Sequence, residues 1–483
     1  MDPFASLVEV YSVPVDAEAD PESRGRLPPQ EANRLSKFMV DMMELESDDD
    51  SDDERSVSDV YEDCSDGFDS DYWLDSELFS DSDVESDSES DIDVPDVLLS
   101  ATLMNVQSYD KNRRPEVDHK DAPRVDIPWV YFGNHYFTHL TSFSIAHFLS
   151  MVLHLTLLDN LLIDPATRTP FSKGLGLFVI LCRFRNMNWQ VMSHVLFTSR
   201  PRLLAIYGHT LDLLSLHYRV VVRVIDYVRV DPLLAAWSAV AHATCGSAVD
   251  NLYVADGKPW PWSVPGVGKA ARKFAERLGI EASRIQRAFY NGYYGVHGAR
   301  IQHLVEVSGI LYSYCCSIRN HDAVLLRKSK IDSMLDCMYV NNDPNRPVRV
   351  MTDKGYARSE HWNPAFSAAQ LAAAAYNPTR LLALEENNAA NYGPRAAVEH
   401  SFAYVFTMFP FFDQKRKFRL FEGGKENYGR LMETYDMAVF FANIKTCLTG
   451  GNIITGKFGV DPPSLEEYLH SVHSGTYVNV NFD

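Results

Sequence analysis

The distribution of apolar and polar positions separates an N-terminal part without periodicity from a longer part with clear periodicity. Residues 1–100 are rich in Asp, Glu and Ser. Such a segment cannot bury enough apolar surface to offset the loss of chain entropy, so we predict that it is disordered. Residues 101–125 form a polar linker, and beyond it apolar side chains recur first at helical and then at strand-like spacing.

Residues 126–245 carry the periodicity of helices, and we predict a helical domain here. The predicted helices span Ser142 to Ile163 (as one helix or two), Gly174 to Phe184, Trp189 to Leu196, Pro201 to Tyr218 and Asp231 to Thr244. The helices Trp189 to Leu196 and Pro201 to Tyr218 are joined by a short break. This is the arrangement of a helix-turn-helix, whose second helix enters a major groove of DNA. Two packed helices of any bundle share this spacing, and packing alone explains it at least as well.

The start of the second of these helices has a recognisable signature. Ser199 suits the N-cap position, and Pro201 is tolerated in a first turn. If this helix contacts DNA, its exposed cations are Arg200 and Arg202.

Residues 246–450 change to short apolar runs bounded by turns, which predicts an α/β domain, with residues 451–483 as a C-terminal tail. The first strand is followed by Asp256 and Gly257, and a Pro/Gly-rich loop is expected over residues 258–268. The other predicted elements are the first strand itself over Leu252 to Ala255, a helix over Ala270 to Leu278, a hairpin of Ala299 to Val307 and Ile310 to Cys316, a helix from His321 to about Leu335, a strand over Val348 to Met351, and helices over Ala368 to Tyr376 and Pro394 to Phe409. The sequence contains no dinucleotide-binding glycine fingerprint and no P-loop.

Three acidic residues can be placed at one edge of the predicted sheet. A strand followed by glycine leaves Asp256 at the rim of the sheet. Asp353 follows a later strand, and pairing of the two strands would put both aspartates side by side. Glu399 belongs to a helix whose apolar face can pack across that edge, with Arg395 one turn away to orient it or to contact a phosphate. Taken singly, each acid is better explained by a turn, a loop or a surface ion pair.

These acids suit a particular chemistry. Carboxylate oxygens are the ligands that Mg²⁺ and Mn²⁺ prefer. Two such ions about 3.5–4 Å apart stabilise both the attacking and the leaving oxygen when a phosphodiester bond is cleaved. Asp256, Asp353 and Glu399 therefore predict a two-metal site of a nuclease.

The formal net charge of −20 conceals a mildly basic remainder of the chain. Residues 41–100 hold 25 acidic side chains and one basic side chain, whereas residues 101–483 hold 33 acidic and 40 basic ones. The second part permits a polyanionic partner such as DNA. The acidic segment, which also contains aromatic residues, suits docking on a basic or apolar partner, and a solubilising tail explains it equally well.

Cysteine usage and the N-terminus bear on the compartment. The seven cysteines are scattered without zinc-ligand spacing, which is typical of a reducing compartment, the cytosol or the nucleus. The first residues lack the basic and apolar regions of a signal peptide. The most apolar run carries His147, His154 and Asp159, which favours a buried helix over a membrane span, so we expect no membrane association.

Several short motifs, taken in order, resemble the DDE transposases of the PIF/Harbinger type, also called DDE superfamily endonucleases. These motifs are Leu181-Cys-Arg-Phe-Arg, Ala255-Asp-Gly, the run from Ile285 to Gln302, Arg319-Asn-His-Asp, Asp353-Lys-Gly-Tyr, Arg395-Ala-Ala-Val-Glu and the run from Asp461 to Tyr468. The resemblance covers about residues 170–470. The chain departs from the family pattern at Tyr293 and Tyr294, where members often carry a basic residue, and in its acidic N-terminus.

The resemblance implies a ribonuclease-H-like catalytic core, in which Asp256, Asp353 and Glu399 are the catalytic and metal-binding acids and His321 and Asp322 are a supporting pair. It implies Mg²⁺ or Mn²⁺, hydrolysis at transposon ends and strand transfer by the freed 3′-hydroxyl. The implied partners are double-stranded DNA, further copies of the chain on that DNA, and a separate Myb-like protein that helps to bind it. The implied location is the nucleus, or the cytoplasm where such a partner is missing.

Other cations and aromatic residues have two interpretations each. The cations that could contact phosphates are Arg287, His297 and Arg300 near the hairpin, and Lys415, Arg416 and Lys417 in a basic run. Structure within the hairpin and a solvated loop explain the same residues. Trp260 and Trp262 could stack on a splayed base, but core packing is the commoner role of tryptophan.

The sequence thus predicts a metal-dependent DNA endonuclease or transposase. The alternative is a domesticated, catalytically silent DNA-binding or scaffold protein derived from a transposase. The acidic triad favours the enzyme, because a chain without catalytic function has no reason to keep three dispersed acids.

Overall fold

A computed structural model describes much of the chain beyond residue 132. The described residues are 133–159, 170–245, 249–266, 268–278, 281, 284–320, 325, 329–356, 358–413, 418–422 and 425–475. The predicted disordered region and linker, residues 1–125, lie outside these ranges, as do His321, Asp322 and residues 415–417.

The described chain begins with helices. They are α1 (Asn134–Thr141), α2 (Ile145–His154), α3 (Lys173–Phe184), α4 (Trp189–Val195), α5 (Arg200–Tyr218), α6 (Tyr227–Val230) and α7 (Leu234–Cys245). The prediction that a helix starts at Ser142 was wrong, because Ser142 has a left-handed backbone (φ 67°) that ends α1. The next helix starts at Ile145, where the Ser144 side chain accepts the backbone N–H of His147. The positions of α3, α4 and α5 are confirmed.

A mixed six-stranded sheet follows. Its strands are β1 (Asn251–Trp262), β2 (Tyr290–Asn291), β3 (Val296–Glu306), β4 (Leu311–Ser317), β5 (Arg349–Thr352) and β6 (Trp362–Pro364). The order is β2–β3–β1–β5–β6, and β4 also pairs with β3. Pairs among β1, β2, β3 and β4 are antiparallel, whereas β1–β5 and β5–β6 are parallel. The predicted hairpin is present as β3 and β4, and β6 was not predicted.

Helices flank this sheet. They are α8 (Lys269–Leu278), α9 (Arg284–Ala288), α10 (Ile331–Leu335), α11 (Ala368–Ala374), α12 (Pro378–Met408), α13 (Tyr428–Thr449), α14 (Ile453–Phe458) and α15 (Leu465–His473), with a small sheet of β7 (Phe421–Glu422) and β8 (Lys425–Glu426). Helix α12 crosses β3, β1 and β5, while α13 packs on β4, α5 and α12. Among the described residues, no helix combines the length and the apolar character needed to span a membrane.

Helix α12 begins much earlier than the predicted start at Pro394. Its first residue is Pro378, and the Asn377 side chain accepts the backbone N–H of Arg380 as a cap. Proline in the first helical position needs no hydrogen-bond partner, so the Asn-Pro pair marks a true helix start. The longer helix reaches from the end of β6 to the far half of β1 and so positions Glu399 over the sheet.

Strand β1 was predicted to end before Asp256, and this was wrong. The strand continues to Trp262, and each residue from Tyr253 onward pairs with β3. Trp260 and Trp262 are buried, with the Trp260 ring 5.3 Å from that of Tyr435 on α13. The two tryptophans are therefore core residues, and the expected loop after Gly257 is the second half of a strand.

The edge of β1 that faces away from β3 explains why its proline-rich second half can be a strand. The ladder to β5 ends at the pair Val254–Met351. Beyond it, the Gly257 N–H donates to Asp256 Oδ1 at 2.7 Å, and the Ser263 N–H donates to the backbone oxygen of Phe418 at 2.8 Å. The alternate positions between them are Pro259 and Pro261, which have no N–H. Because proline is tolerated where the missing N–H would point away from the partner strand, β1 keeps its full pairing with β3.

Two buried charge clusters join the helices to the sheet and to each other. Glu306 at the end of β3 is fully buried and accepts both terminal guanidinium nitrogens of Arg229, each at 2.9 Å. Asp436 on α13 is also fully buried and accepts from Arg219 at 2.7 Å and from Arg223 at 2.8 Å. Buried charges of this kind are tolerated only when they are paired and hydrogen-bonded.

Candidate active site

Asp256 and Asp353 occupy matching positions on neighbouring parallel strands. In the β1–β5 ladder, Val254 pairs with Met351. The ladder ends there, two residues before Asp256 in β1 and two residues before Asp353, which directly follows Thr352 at the end of β5. Continued by two residues, this register leads to the two aspartates on adjacent strand ends, and adjacent strands lie about 4.8 Å apart. The predicted pairing of the first strand with the strand before Asp353 is confirmed.

Asp256 lies on the face of the sheet that α12 covers. Its partner on β3 is His303, and directly paired residues point to the same face. The His303 ring stacks on Phe402 of α12, with centroids 4.2 Å apart. Two residues beyond Asp256 on the same face, Lys258 Nζ lies 5.1 Å from the ring centroid of Phe406, also on α12. The Asp256 carboxylate is therefore flanked by a buried histidine and a half-buried lysine.

Glu399 is an exposed residue of α12, the helix that packs on β3, β1 and β5. On a helix of 3.6 residues per turn, it shares a stripe with Asn388 and Phe406. The Asn388 side chain accepts the backbone N–H of Phe366 at 2.7 Å, just beyond β6, and Phe406 contacts Lys258 beyond the end of the β5 ladder. Glu399 lies between these two contacts and is exposed.

Local backbone donors orient both aspartates. The Gly257 N–H donates to Asp256 Oδ1 at 2.7 Å, and the Gly355 N–H donates to Asp353 Oδ1 at 2.9 Å. A Cβ added at Gly355 would lie only 3.1 Å from that Asp353 oxygen, so glycine allows the close turn. Both carboxylates are half-buried, and each offers hard oxygen donors to a ligand.

The donor set fits Mg²⁺ or Mn²⁺ in its chemistry, since both ions prefer carboxylate oxygens. In the part of the chain that the structure describes, however, no three His, Cys, Asp or Glu side chains converge closely enough to hold a metal ion. Asp256, Asp353 and Glu399 thus do not form a closed metal-binding group in this structure.

The predicted supporting residues have mixed outcomes. Arg395 is half-buried one turn from Glu399, but among the contacts of the described residues none joins the two side chains. His321 and Asp322 lie outside the described ranges. No supporting group for the acids can therefore be named from the prediction.

The predicted DNA-binding cations lie in different environments. Arg200 is exposed at the start of α5, whereas two guanidinium nitrogens of Arg202 are enclosed by protein. Arg287 is exposed on α9. His297 packs on the ring of Tyr290 at 4.9 Å, and burial lowers its pKa. The structure thus gives an open surface to Arg200 and Arg287.

Two interpretations of Arg300 were open, a phosphate contact and a structural role in the hairpin, and its burial favours the structural role. Its guanidinium lies 5.9 Å from the Tyr294 ring centroid, and Nη2 donates to the backbone oxygen of Gly257 at 3.3 Å. Arg300 pairs with Pro259 in the interior of the β1–β3 ladder, which explains its burial.

Lys258 and His303 were missed as residues near the acids. The assumption of a loop after Gly257 hid the alternation that places Asp256 and Lys258 on one face. Burial lowers the pKa of Lys258, although the carboxylate of Asp413 acts in the opposite direction. A strand assignment through Trp262 would have identified Lys258 from the sequence.

His303 is held in its neutral form. The Ser401 hydroxyl donates to the backbone oxygen of Val398 at 2.6 Å, so its oxygen accepts from His303 Nδ1 at 2.8 Å. His303 Nε2 can then accept from the Tyr435 hydroxyl at 3.0 Å. Burial, with a further contribution from the charge of Lys258, lowers the pKa of His303 to about 3.

This environment makes stability sensitive to acid. The folded-state pKa lies below the unfolded value of about 6.5, so the stabilisation is complete above pH 6.5 and is lost as the pH falls towards 3. At about 1.4 kcal/mol per pH unit, His303 lowers the free energy of unfolding by about 2 kcal/mol between pH 6.5 and 5. In urea titrations across this range, His303→Gln is expected to show a shallower pH slope than wild type. The exposed His194→Gln should keep the wild-type slope, and equal slopes in all three proteins would contradict the assignment.

Comparisons with family models, with curated proteins and with solved structures found no match to this chain.

Proposed function

We propose that the protein is a metal-dependent DNA endonuclease with a ribonuclease-H-like core, of the DDE transposase type. The observation that carries this proposal is the parallel pairing of β1 with β5, whose register leads towards Asp256 and Asp353, while α12, the helix of Glu399, packs on both strands. The sheet supports it, since three antiparallel strands (β4, β3, β1) continued by two parallel ones (β5, β6) are the order expected of that core. In this proposal the enzyme cuts transposon ends in the nucleus, as an oligomer on DNA aided by a Myb-like partner.

Asp256 and Asp353 would hold Mg²⁺ or Mn²⁺, with Glu399 completing the set. When bound, such an ion polarises the phosphate and lowers the pKa of a water molecule. The role of the chain is to orient these donors, which the N–H groups of Gly257 and Gly355 do in the free protein. Lys258, about 7 Å along the same strand face from Asp256, would hold the phosphate by its positive charge.

A basic segment of the chain favours a polyanionic substrate. Residues 258–300 contain eight basic and two acidic side chains. The exposed basic residues of this segment include Lys269, Arg272 and Lys273 on α8 and Arg284 and Arg287 on α9. Lys and Arg contacts to phosphates supply most of the affinity for DNA irrespective of its sequence.

One observation favours the alternative of a catalytically silent DNA-binding or scaffold protein. Glu399 is exposed, and the described residues contain no three-residue group that could hold a metal ion. A chain that has kept only the aspartate pair could still bind DNA through its basic segment.

Nicking of supercoiled plasmid by the full chain separates the two functions. With Mn²⁺ or Mg²⁺ we expect conversion to the open circular form, and with excess chelator we expect none. A gel-shift titration on a linear fragment of the same plasmid measures binding independently. Binding without nicking in either metal would reject the enzyme and support the scaffold function, and the absence of both would reject both.

A further inference from the structure

A turn at the end of the β2–β3 hairpin exposes aromatic side chains. Tyr290 lies in β2, and Tyr293 and Tyr294 lie in the turn that leads into β3. Tyr293 is 79% exposed, Tyr290 is 37% exposed and Tyr294 is half-buried. Exposed large rings grouped in this way contribute little to the core and are typical of contact surfaces. We call these three residues the tyrosine turn.

The buried Asn291 holds the tyrosine turn in one conformation. Its side-chain amide donates to the backbone oxygen of Ile318 at 2.8 Å. Its carbonyl oxygen accepts the N–H of Tyr293 at 3.0 Å and that of Tyr294 at 3.3 Å. A ligand that binds here meets a preorganised surface, so little conformational entropy is lost on binding.

The rings of the tyrosine turn contact one another, the His297 ring and the Arg300 guanidinium. Tyr293 meets Tyr294 edge to face at 4.9 Å, and Tyr290 lies 4.9 Å from the ring of His297. The Arg300 guanidinium lies 5.9 Å from the Tyr294 ring centroid. This arrangement leaves the highly exposed Tyr293 as the ring with most surface for an external partner.

The charge around the turn indicates what that partner is. The turn belongs to the segment of residues 258–300, with eight basic and two acidic side chains, and Arg287 is exposed on α9 immediately before β2. Aromatic rings combined with a basic surface are typical of sites that bind single-stranded nucleic acid, where bases stack on the rings and cations contact the phosphates. A purely apolar protein partner would not need this excess of positive charge.

We propose that the tyrosine turn is a stacking site for unpaired nucleotides of DNA, which on the proposed nuclease function belong to the strand being cut. In a duplex both faces of each base are already stacked, so an exposed ring gains a partner only where bases are unpaired. From His297, beside the turn, to His303, opposite Asp256, β3 spans about 20 Å. The site therefore binds bases a few nucleotides away from the phosphate held at the aspartate pair.

The test is fluorescence anisotropy of the full chain with a labelled twelve-nucleotide oligothymidylate, in chelator so that no cleavage occurs. Tyr293→Ala is expected to weaken binding about tenfold, because stacking of one base on an aromatic ring is lost. Tyr293→Phe keeps the ring and should bind within about twofold of wild type. Tyr376→Ala is the matched control, since Tyr376 is 80% exposed but lies between α11 and α12.

Three results would overturn the proposal. One is oligothymidylate binding that is unchanged in Tyr293→Ala or absent in wild type. Another is an equal loss of affinity for a twelve-base-pair duplex, which would assign Tyr293 to general phosphate contacts. The third is a change in sedimentation coefficient on Tyr293→Ala, which would assign the turn to contact with a second copy. Thermal melting of each variant checks that the fold is kept.

This test is independent of the nuclease assay. If nicking is absent but Tyr293→Ala still loses the oligonucleotide, the stacking site stands and the nuclease function fails. If nicking occurs and Tyr293→Ala binds normally, only the stacking site is rejected.

Discussion

Asp353→Asn is expected to lower metal-dependent nicking of DNA by at least about a thousandfold while the fold is kept. The substitution removes the carboxylate that directly follows β5, and β5 pairs with β1, the strand of Asp256. Loss of a metal ligand removes several kcal/mol of transition-state stabilisation, and about 4 kcal/mol corresponds to a thousandfold in rate. The asparagine oxygen can still accept the Gly355 N–H that Asp353 accepts at 2.9 Å, so the turn after β5 should remain.

Initial rates of plasmid nicking at saturating Mn²⁺ measure this effect, and Asp256→Asn should lose as much. The matched control is Asp343→Asn, which removes a half-exposed carboxylate from the opposite end of β5, where it accepts from Asn345. Nicking that persists within tenfold of wild type in Asp353→Asn would remove Asp353 from the site. Equal loss in Asp343→Asn would show that the assay reports general damage.

Arg229→Met is expected to lower the free energy of unfolding by about 3–5 kcal/mol, because it leaves a buried carboxylate without its partner. Glu306 has no exposed surface, and Arg229 donates to both of its oxygens at 2.9 Å. The Tyr312 hydroxyl donates to the same carboxylate at 3.1 Å and cannot neutralise its charge. Burial alone would lower the pKa of Arg229, but the Glu306 charge raises it well above the usual value, which reflects a strong mutual attraction.

Urea unfolding at neutral pH measures this loss. Arg430→Met is the matched control, since Arg430 pairs with Asp212, whose side chain is 66% exposed, and such surface pairs contribute about 1 kcal/mol or less. The double variant Arg229→Met/Glu306→Gln should recover a large part of the loss, because no charge is then left buried. A single variant that costs less than about 1 kcal/mol would show that water or another group already compensates Glu306.

Elements with one buried face could be predicted from the sequence. The hairpin of β3 and β4 and the helix α8 were recognised because apolar residues alternate or recur with one period. Helix α13 was missed since nearly every residue from Leu431 to Ile444 is buried, which leaves no periodic contrast. Strand β6 has only three residues and ends in Pro364, so no local pattern identifies it.

Part of the candidate site could also be predicted. The neighbourhood of Asp256 and Asp353 follows from pairing of the strands that precede them, and the structure has that pairing. The direction of Glu399 depends on how α12 is rotated on the sheet, which sequence periodicity indicates only approximately. The sequence left open whether Arg300 contacts phosphate or belongs to the hairpin structure, because its burial depends on the extension of β1 through prolines that normally end a strand.

The outer edge of β1 bears on how this chain avoids association with other chains. An open strand edge with free N–H groups is a template for edge-to-edge aggregation and for exchange of strands between copies. Along the second half of β1, Gly257 uses its N–H on the neighbouring aspartate, Pro259 and Pro261 have none, and Ser263 bonds to Phe418. The edge next to Asp256 is thus protected against addition of a foreign strand, although no strand among the described residues covers it. A site can therefore stay open there without making the protein prone to aggregate.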